Sequence, residues 1–127
     1  MLTHIQVRDY TIIDELDIAL DPGMSAMTGE TGAGKSILVD ALGLALGDRA
    51  DSGVIRIGAD TAEISLHFDI SNAGEAHAWL VEQGLDDEHD CIIRRTLNRE
   101  GSSKAFINNR PAPLRSLKEL GELLVDI

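Results

Sequence analysis

The sequence predicts an α/β fold in which a strand, a glycine-rich loop and a helix adjoin a β-rich, partly antiparallel subdomain. Residues 24–28 are mostly apolar, residues 29–36 are rich in glycine, and residues 37–46 place Leu, Ile and Ala at helical spacing. Residues 63–70 alternate strictly, with an apolar residue at every even position. Such alternation is typical of a strand with one face buried. A strand–loop–helix unit beside a sheet is therefore expected.

Other runs along the chain predict the remaining strands. Residues 2–9 and 16–20 alternate and predict a hairpin, and residues 54–57 predict a short strand. Residues 91–97 and 104–107 predict two more strands joined by a glycine-containing turn. Short strands joined by turns indicate that the subdomain is partly antiparallel.

The helices are predicted from their ends. Asn72, with Glu75 three residues later, resembles a capping box and predicts a helix start. Each of three glycines follows a run with helical spacing and is expected to end a helix: Gly47, Gly84 and Gly121.

Residues 123–127 are mostly apolar and predict a buried strand, after which we expect a longer protein to continue.

The glycine-rich loop fits the phosphate-binding pattern G-x-x-x-x-G-K-[ST] at every fixed position. Its glycines let the backbone approach a phosphate closely, and the N–H groups at the start of the following helix attract a negative charge. Lys35 is expected to reach the β- and γ-phosphates, and the Ser36 hydroxyl is expected to bind Mg²⁺. The alternative is a glycine-rich turn with an incidental lysine, but the flanking strand and helix favour a nucleoside triphosphate site.

Charge is unevenly distributed along the chain. The formal net charge of −11 argues against a general nucleic-acid binder. Residues 91–118, however, hold seven basic residues and one acidic residue, giving +6, whereas the rest holds four basic and twenty-one acidic residues, giving −17. We therefore predict that Arg95, Arg99 and Lys104 contact DNA phosphates. Equally open is the alternative that these cations pair with the acidic body or with another part of a longer protein.

Two further features bear on location and metal binding. The single cysteine, Cys91, cannot form an internal disulfide, which suits a reducing cytoplasm, and its apolar surroundings predict a buried structural thiol. No apolar run approaches the roughly 18 residues of a membrane helix, so no membrane partner is predicted. Asp126 follows an apolar run and is either a second metal carboxylate or a structural residue.

Several stretches resemble the start of the RecN family of bacterial DNA repair proteins, relatives of the structural-maintenance-of-chromosomes (SMC) ATPases. They are residues 2–18, the loop GETGAGKS, its continuation SILVDALGLALGDRA and the segment IIRRTLNREGSSKAFINNRP. The resemblance covers essentially the whole chain. One departure is that Gly101-Ser102-Ser103 stands where the family tends to have Gly-Arg-Ser.

The resemblance implies a P-loop NTPase of the ABC/SMC head type, assembled from both ends of a long polypeptide separated by a coiled coil. Residues 1–127 would be the N-terminal half-head, with ATP and Mg²⁺ as its ligands and Lys35 as its catalytic residue. The metal carboxylate, catalytic glutamate and signature loop would lie in the C-terminal half, which favours a structural role for Asp126. The implied ATP-binding residues are Gly29, Glu30, Thr31, Gly32, Ala33, Gly34, Lys35, Ser36 and Ile37.

The family implies an ATPase of DNA double-strand-break repair and recombination, in the cytoplasm at the nucleoid. Its partners would be the C-terminal half-head, a second copy joined through heads or coiled coil, and DNA, and residues 1–127 alone would be inactive. Two alternatives are an ABC-like nuclease of the overcoming-lysogenisation type and a small nucleotide kinase. A kinase should carry a lid and an arginine-rich acceptor pocket, and the sequence shows no such arrangement.

Overall fold

The computed structural model describes residues 2–11, 13–19, 40–47, 52–71, 73–100 and 103–125, which form one sheet with helices packed against it. The strands are β1 (Leu2–Tyr10), β2 (Ile13–Ala19), β3 (Thr61–Asp69), β4 (Asp90–Asn98), β5 (Ser103–Ile107) and β6 (Arg110–Ala112). The helices are α1, described over residues 40–45, α2 (Gly74–Gln83) and α3 (Leu114–Val125).

The six strands lie in the order β2-β1-β3-β4-β5-β6, and every neighbouring pair is antiparallel. Their register aligns inward-facing side chains in rows across the sheet. One row runs from Ile5 through Leu66 and Ile93 to Ile107. The expected α/β fold with a β-rich, antiparallel part is confirmed.

The core lies between this inner face and the three helices. Helix α1 contributes Ala41, Leu44 and Ala45, all nearly inaccessible to solvent. Helix α3 contributes three leucines spaced three and four residues apart, which places them on one side of the helix: Leu117, Leu120 and Leu124. The structure is thus a two-layer arrangement with the helices on one face of the sheet.

The opposite face of the sheet is polar. On β1 the outward side chains His4, Gln6 and Arg8 are exposed, whereas the alternate residues are buried. The ring of His4 stacks on that of His67 on β3, with centroids 5.9 Å apart. Of the helices that the structure describes, none is long and apolar enough to cross a membrane.

The strand expected at residues 54–57 is absent. Ser52–Val54 form a 3₁₀ turn, and Ile55 makes a single bridge to Tyr10. The backbone then turns at Ile57 and Gly58, where Gly58 has a φ of +92°. The prediction was wrong because the apolar residues Val54, Ile55 and Ile57 lie in a loop here, where Ile55 is buried and Ile57 is exposed.

The ends of α2 and α3 also differ from expectation. Helix α2 ends at Gly84 with a left-handed φ of 71°, as predicted, but it begins after Ala73 without a side-chain cap, and Asn72 lies outside the described residues. Helix α3 continues through Gly121 to Val125, so the predicted strand at 123–127 is wrong over residues 123–125. The predicted helix end at Gly121 was wrong because this glycine serves a close contact inside the helix, where a Cβ would lie 3.3 Å from Leu46 Cβ.

Strand β6 was not predicted. It follows a two-residue turn at Asn108 and Asn109, whose φ angles of 49° and 68° are left-handed. Such angles at both central residues define the tightest hairpin turns, and asparagine tolerates them better than most residues. The Asn-Asn pair was the signal that could have revealed this hairpin.

Candidate functional site

The phosphate-binding motif at 29–36, together with Ile37, lies outside the described residues. The structure describes the chain again from Asp40, four residues after Ser36. The described residues therefore show the contacts that hold the helix following the motif, α1, in place.

The end of that helix is well defined. Leu46 N–H donates to Leu42 O at 3.0 Å, and Gly47 N–H donates to Leu44 O at 3.2 Å. Gly47 has a φ of +109°, a conformation that side chains disfavour, so it ends the helix as expected from the sequence. The last carbonyls of a helix lack donors within it and carry the negative end of its dipole.

Arg95 on β4 meets this helix end. Its Nη1 donates a 2.6 Å hydrogen bond to Leu44 O, and its Nη2 donates to Ser103 Oγ on β5 at 3.4 Å. The residue is only 2% exposed and is the buried charged residue among those the structure describes. A guanidinium in the core is stable only when hydrogen-bonded, and each hydrogen bond from a charged group is worth about 1.5–3 kcal/mol.

The surroundings of Arg95 are otherwise apolar. On one side Arg95 pairs with Ile64 on β3, which in turn pairs with Val7 on β1. On the other side it pairs with Ala105 on β5. Along β4 its neighbours on the same face, Ile93 and Leu97, are buried as well. The arginine therefore takes a core position and uses its length to reach from the sheet to α1.

Helix α3 holds the same helix end from another side. A Cβ placed on Gly47 would come within 2.5 Å of Lys118 Cγ and 3.4 Å of Leu114 O. A Cβ placed on Gly121 in α3 would lie 3.3 Å from Leu46 Cβ. Two glycines, one on each segment, thus allow the backbones to approach closely.

The described start of α1 lies near β1. The pKa of Tyr10 is raised, first because the phenol is removed from solvent and second because the negative charge of Asp40 disfavours ionisation. Tyr10 is 2% exposed, and it pairs with Ile13 across the hairpin. Asp40 at the described start of α1 therefore lies near enough to Tyr10 on β1 to disfavour ionisation of its hydroxyl.

The three residues predicted to contact DNA fall into different environments. Arg95 is buried, so the structure argues against its contact with a phosphate backbone. Arg99 is exposed at the end of β4, but its guanidinium donates to Ala59 O at 2.5 Å and to Arg56 O at 2.8 Å. Lys104 on β5 is exposed on the polar face of the sheet.

Arg94 precedes Arg95 in the chain and lies on the opposite face of β4. It is on the polar face and places its guanidinium 4.4 Å from the ring centre of Phe106. Its Nε is 3.8 Å from a carboxylate oxygen of Glu63. The apolar residues Ile93 and Leu97, two positions before and two positions after Arg95, were the sequence signal that could have placed Arg95 on the buried face.

Other candidate ligands are also accounted for. In the part of the chain that the structure describes, no group of three or more His, Cys, Asp or Glu side chains is placed to hold a metal ion. Asp126 lies outside the described residues. Burial raises the pKa of the Cys91 thiol to about 12, and Cys91 is fully inaccessible, which agrees with the expected structural thiol.

Comparison with known proteins shows what the chain is similar to. A family model described as an AAA domain matches residues 4–122. The chain is 46% identical to the DNA repair protein RecN of Vibrio cholerae serotype O1 and 36% identical to that of Bacillus subtilis strain 168. Both alignments cover the whole chain, but the chain spans only 23% and 22% of those proteins.

Solved structures share the fold. A structure from work on ATP-driven dimerization and DNA-stimulated activation of SMC ATPases matches 98% of this chain and 79% of that one, with a TM-score of 0.78 and 21% identity. The SMC head bound to the C-terminal winged-helix domain of ScpA matches 96% of this chain and 40% of that one, with a TM-score of 0.79 and 21% identity. At this identity the likeness establishes the architecture alone.

Proposed function

Because the chain belongs to the AAA domain family and aligns from end to end with the N-terminal part of RecN proteins, we propose that it is the nucleotide-binding segment of an ATPase head in a RecN-like DNA repair protein. The observation that carries the proposal is the complete G-x-x-x-x-G-K-[ST] motif at 29–36, which precedes in the chain a helix, described from Asp40, that Arg95 and α3 hold against the sheet. ATP is the proposed ligand.

The backbone, the lysine and the serine of the motif each have a proposed task. The backbone N–H groups of residues 32–36 bind the phosphates, and Lys35 neutralises charge on the transferred phosphoryl group. The Ser36 hydroxyl is a hard oxygen donor, which suits Mg²⁺. When bound, the ion would offset the negative charge that develops on the phosphoryl group during hydrolysis.

The rest of the longer protein is proposed to complete the site. Hydrolysis needs a second metal carboxylate and a group that positions water, and we assign both to the C-terminal half-head. A second copy would pair with this head, as the ATP-driven dimerization described for SMC ATPases suggests. The work of such a protein in DNA repair would place it in the cytoplasm at the nucleoid.

The test is Lys35→Ala in the full-length protein. We expect loss of ATP turnover with the fold retained, because the point charge at the phosphates is removed while no core residue changes. Arg115→Ala, an exposed cation on α3, is the matched control and should turn over ATP like the parent. Turnover by Lys35→Ala within twofold of the parent would overturn the assignment.

We propose that Lys104 and Arg99 contact DNA phosphates. Arg95 is no longer proposed as a contact, because it is buried. Lys104 is exposed on the polar face of the sheet, and Arg99 is exposed at the neighbouring turn. Contact with phosphates alone gives binding that is independent of sequence and sensitive to salt. Helix α3, which carries Arg115, lies on the other face of the sheet.

Charge reversal in the full-length protein tests this contact. Lys104→Glu should lower DNA affinity and make its salt dependence shallower by roughly one unit of slope, with ATP binding unchanged. Arg115→Glu makes the same change of charge at a site away from the polar face. Equal losses in the two variants would attribute the effect to net charge and reject the proposed contact.

A further inference from the structure

We infer that Arg95 is a positioning residue for the nucleotide site, which fixes the far end of the helix following the phosphate-binding motif. The inference rests on the proposed function, since it assigns Arg95 a role in a reaction at that motif. Arg95 acts through Leu44, eight residues after Ser36 in the chain, and touches neither the motif nor a reacting atom.

Burial of the charged Arg95 side chain costs free energy, so we expect this side chain to make a contact that an apolar side chain could not make. It lies in a row with Ile64 and Ala105 and is 2% exposed. Replacing a buried charged group by a well-packed apolar one is often neutral or stabilising, so stability alone does not favour an arginine there. What the guanidinium adds is a directed connection, because two of its nitrogens bond to different elements.

The two hydrogen bonds join α1 to the sheet and fix the position of the helix along its own axis. Nη1 bonds to the carbonyl of Leu44 at 2.6 Å, and Nη2 reaches Ser103 Oγ on the adjacent strand β5 at 3.4 Å. The carbonyl belongs to the negative end of the helix, where a cation is favourable. Sliding or rotation of α1 by one residue would remove Leu44 O from the guanidinium.

The other contacts of α1 constrain it in different directions. Ala41, Leu44 and Ala45 pack into the apolar core, and such contacts tolerate small shifts because they have no direction. The close approach of Gly47 to Lys118 limits how near α1 comes to α3. Among these contacts the hydrogen bond from Arg95 is the directional one, so it is the contact that sets axial register.

Axial register matters for phosphate binding because the donors at the start of a helix are fixed to its backbone. Groups in a reactive site must be held to within about 0.5 Å of their productive geometry. Loss of the connection at Leu44 would let the helix sample shifted positions, and phosphate contacts would weaken. The expected consequence is weaker ATP binding by molecules that are otherwise folded.

The test compares three variants of the full-length protein: Arg95→Met, Arg95→Lys and Leu97→Ala. Leu97 is the matched control, since it is buried on the same face of β4 but packs with Ile55 and Ala62 in a separate cluster. For each variant, kcat and KM for ATP are measured below its melting temperature. A purely structural defect lowers the active fraction and hence kcat, whereas a loss of positioning raises KM.

We expect Arg95→Met to raise the KM for ATP by about tenfold, less than the roughly 100-fold that a misplacement of 1 Å can cost. Arg95→Lys keeps the charge and one donor at a time, so its KM should lie between that of the parent and that of Arg95→Met. Leu97→Ala should lose thermal stability and keep the parent KM. If Arg95→Met does not fold, Arg95→Lys decides: a raised KM supports the inference, and a KM equal to the parent overturns it.

The outcome is separable from that of the proposed function. Should Lys35→Ala still hydrolyse ATP, the site assignment itself fails. Should Lys35→Ala be inactive while Arg95→Met and Leu97→Ala share the parent KM, the nucleotide site stands and Arg95 is merely a core residue.

Discussion

The backbone of Gly47 passes so close to Lys118 that a single added carbon would lie 2.5 Å from Lys118 Cγ. The same glycine has a φ of +109°, which L-residues rarely adopt. Two independent constraints therefore select glycine at the point where α1 ends against α3. This junction secures the helix that follows the phosphate-binding motif.

Gly47→Ala should destabilise the protein by about 2–4 kcal/mol, because backbone strain and a steric clash act together. Gly58→Ala is the matched control, since Gly58 has a φ of +92° but no atom within 4 Å of the added Cβ. It should cost only about 1–2 kcal/mol, from strain alone. Urea denaturation measures both, and equal losses would show that the contact with α3 contributes nothing.

Asn108 should stabilise the β5–β6 hairpin through its side chain. Its Oδ1 accepts from Ile92 N–H at 2.8 Å, and its Nδ2 donates to Leu85 O at 2.8 Å. Asn108→Gly keeps the φ of 49° accessible but loses both bonds, so it should cost about 1–2 kcal/mol. Asn109→Gly changes the other residue of the turn and should be neutral within about 0.5 kcal/mol. A neutral Asn108→Gly would contradict the account of this turn.

Cys91 should resist thiol reagents in the folded chain. Its pKa of about 12 keeps the thiol neutral, and reagents act on the thiolate. We expect labelling at least ~1,000-fold slower than in the urea-unfolded chain, in line with an ordinary folding stability. Rapid labelling without denaturant would contradict the burial of this residue.

The same thiol predicts how stability depends on pH. Its folded pKa lies above the ordinary value of about 8.5, so burial of the neutral form stabilises the fold fully below about pH 8.5. This contribution declines as the pH rises toward about 12. Comparison of the parent with Cys91→Ala across pH 8–10 should show the steeper loss in the parent.

Periodicity predicted the sheet well because its inner face follows a simple rule. Alternate residues of β3 and β4 are buried without interruption, so local sequence is enough to assign them. It failed where a residue serves a distant contact. Gly121 has the properties of a helix end, yet it continues α3 because Leu46 requires a small neighbour.

The same limit applies to the candidate site. The phosphate-binding motif is recognisable from sequence because its chemistry depends on adjacent residues. The task of Arg95 is not, because its partner Leu44 lies 51 residues away. Charge counting placed Arg95 with Arg99 and Lys104; the alternation of apolar residues along β4 could have placed Arg95 inside, but only the three-dimensional packing shows its bond to Leu44.

The most direct test of the central claim, that this chain is the nucleotide-binding part of a divided ATPase head, is reconstitution. ATP turnover is measured for residues 1–127 alone, for the C-terminal counterpart alone, and for their mixture, with Lys35→Ala in each case as the control. The account predicts turnover above the control only in the mixture. Turnover by residues 1–127 alone, equal to that of the mixture, would contradict it.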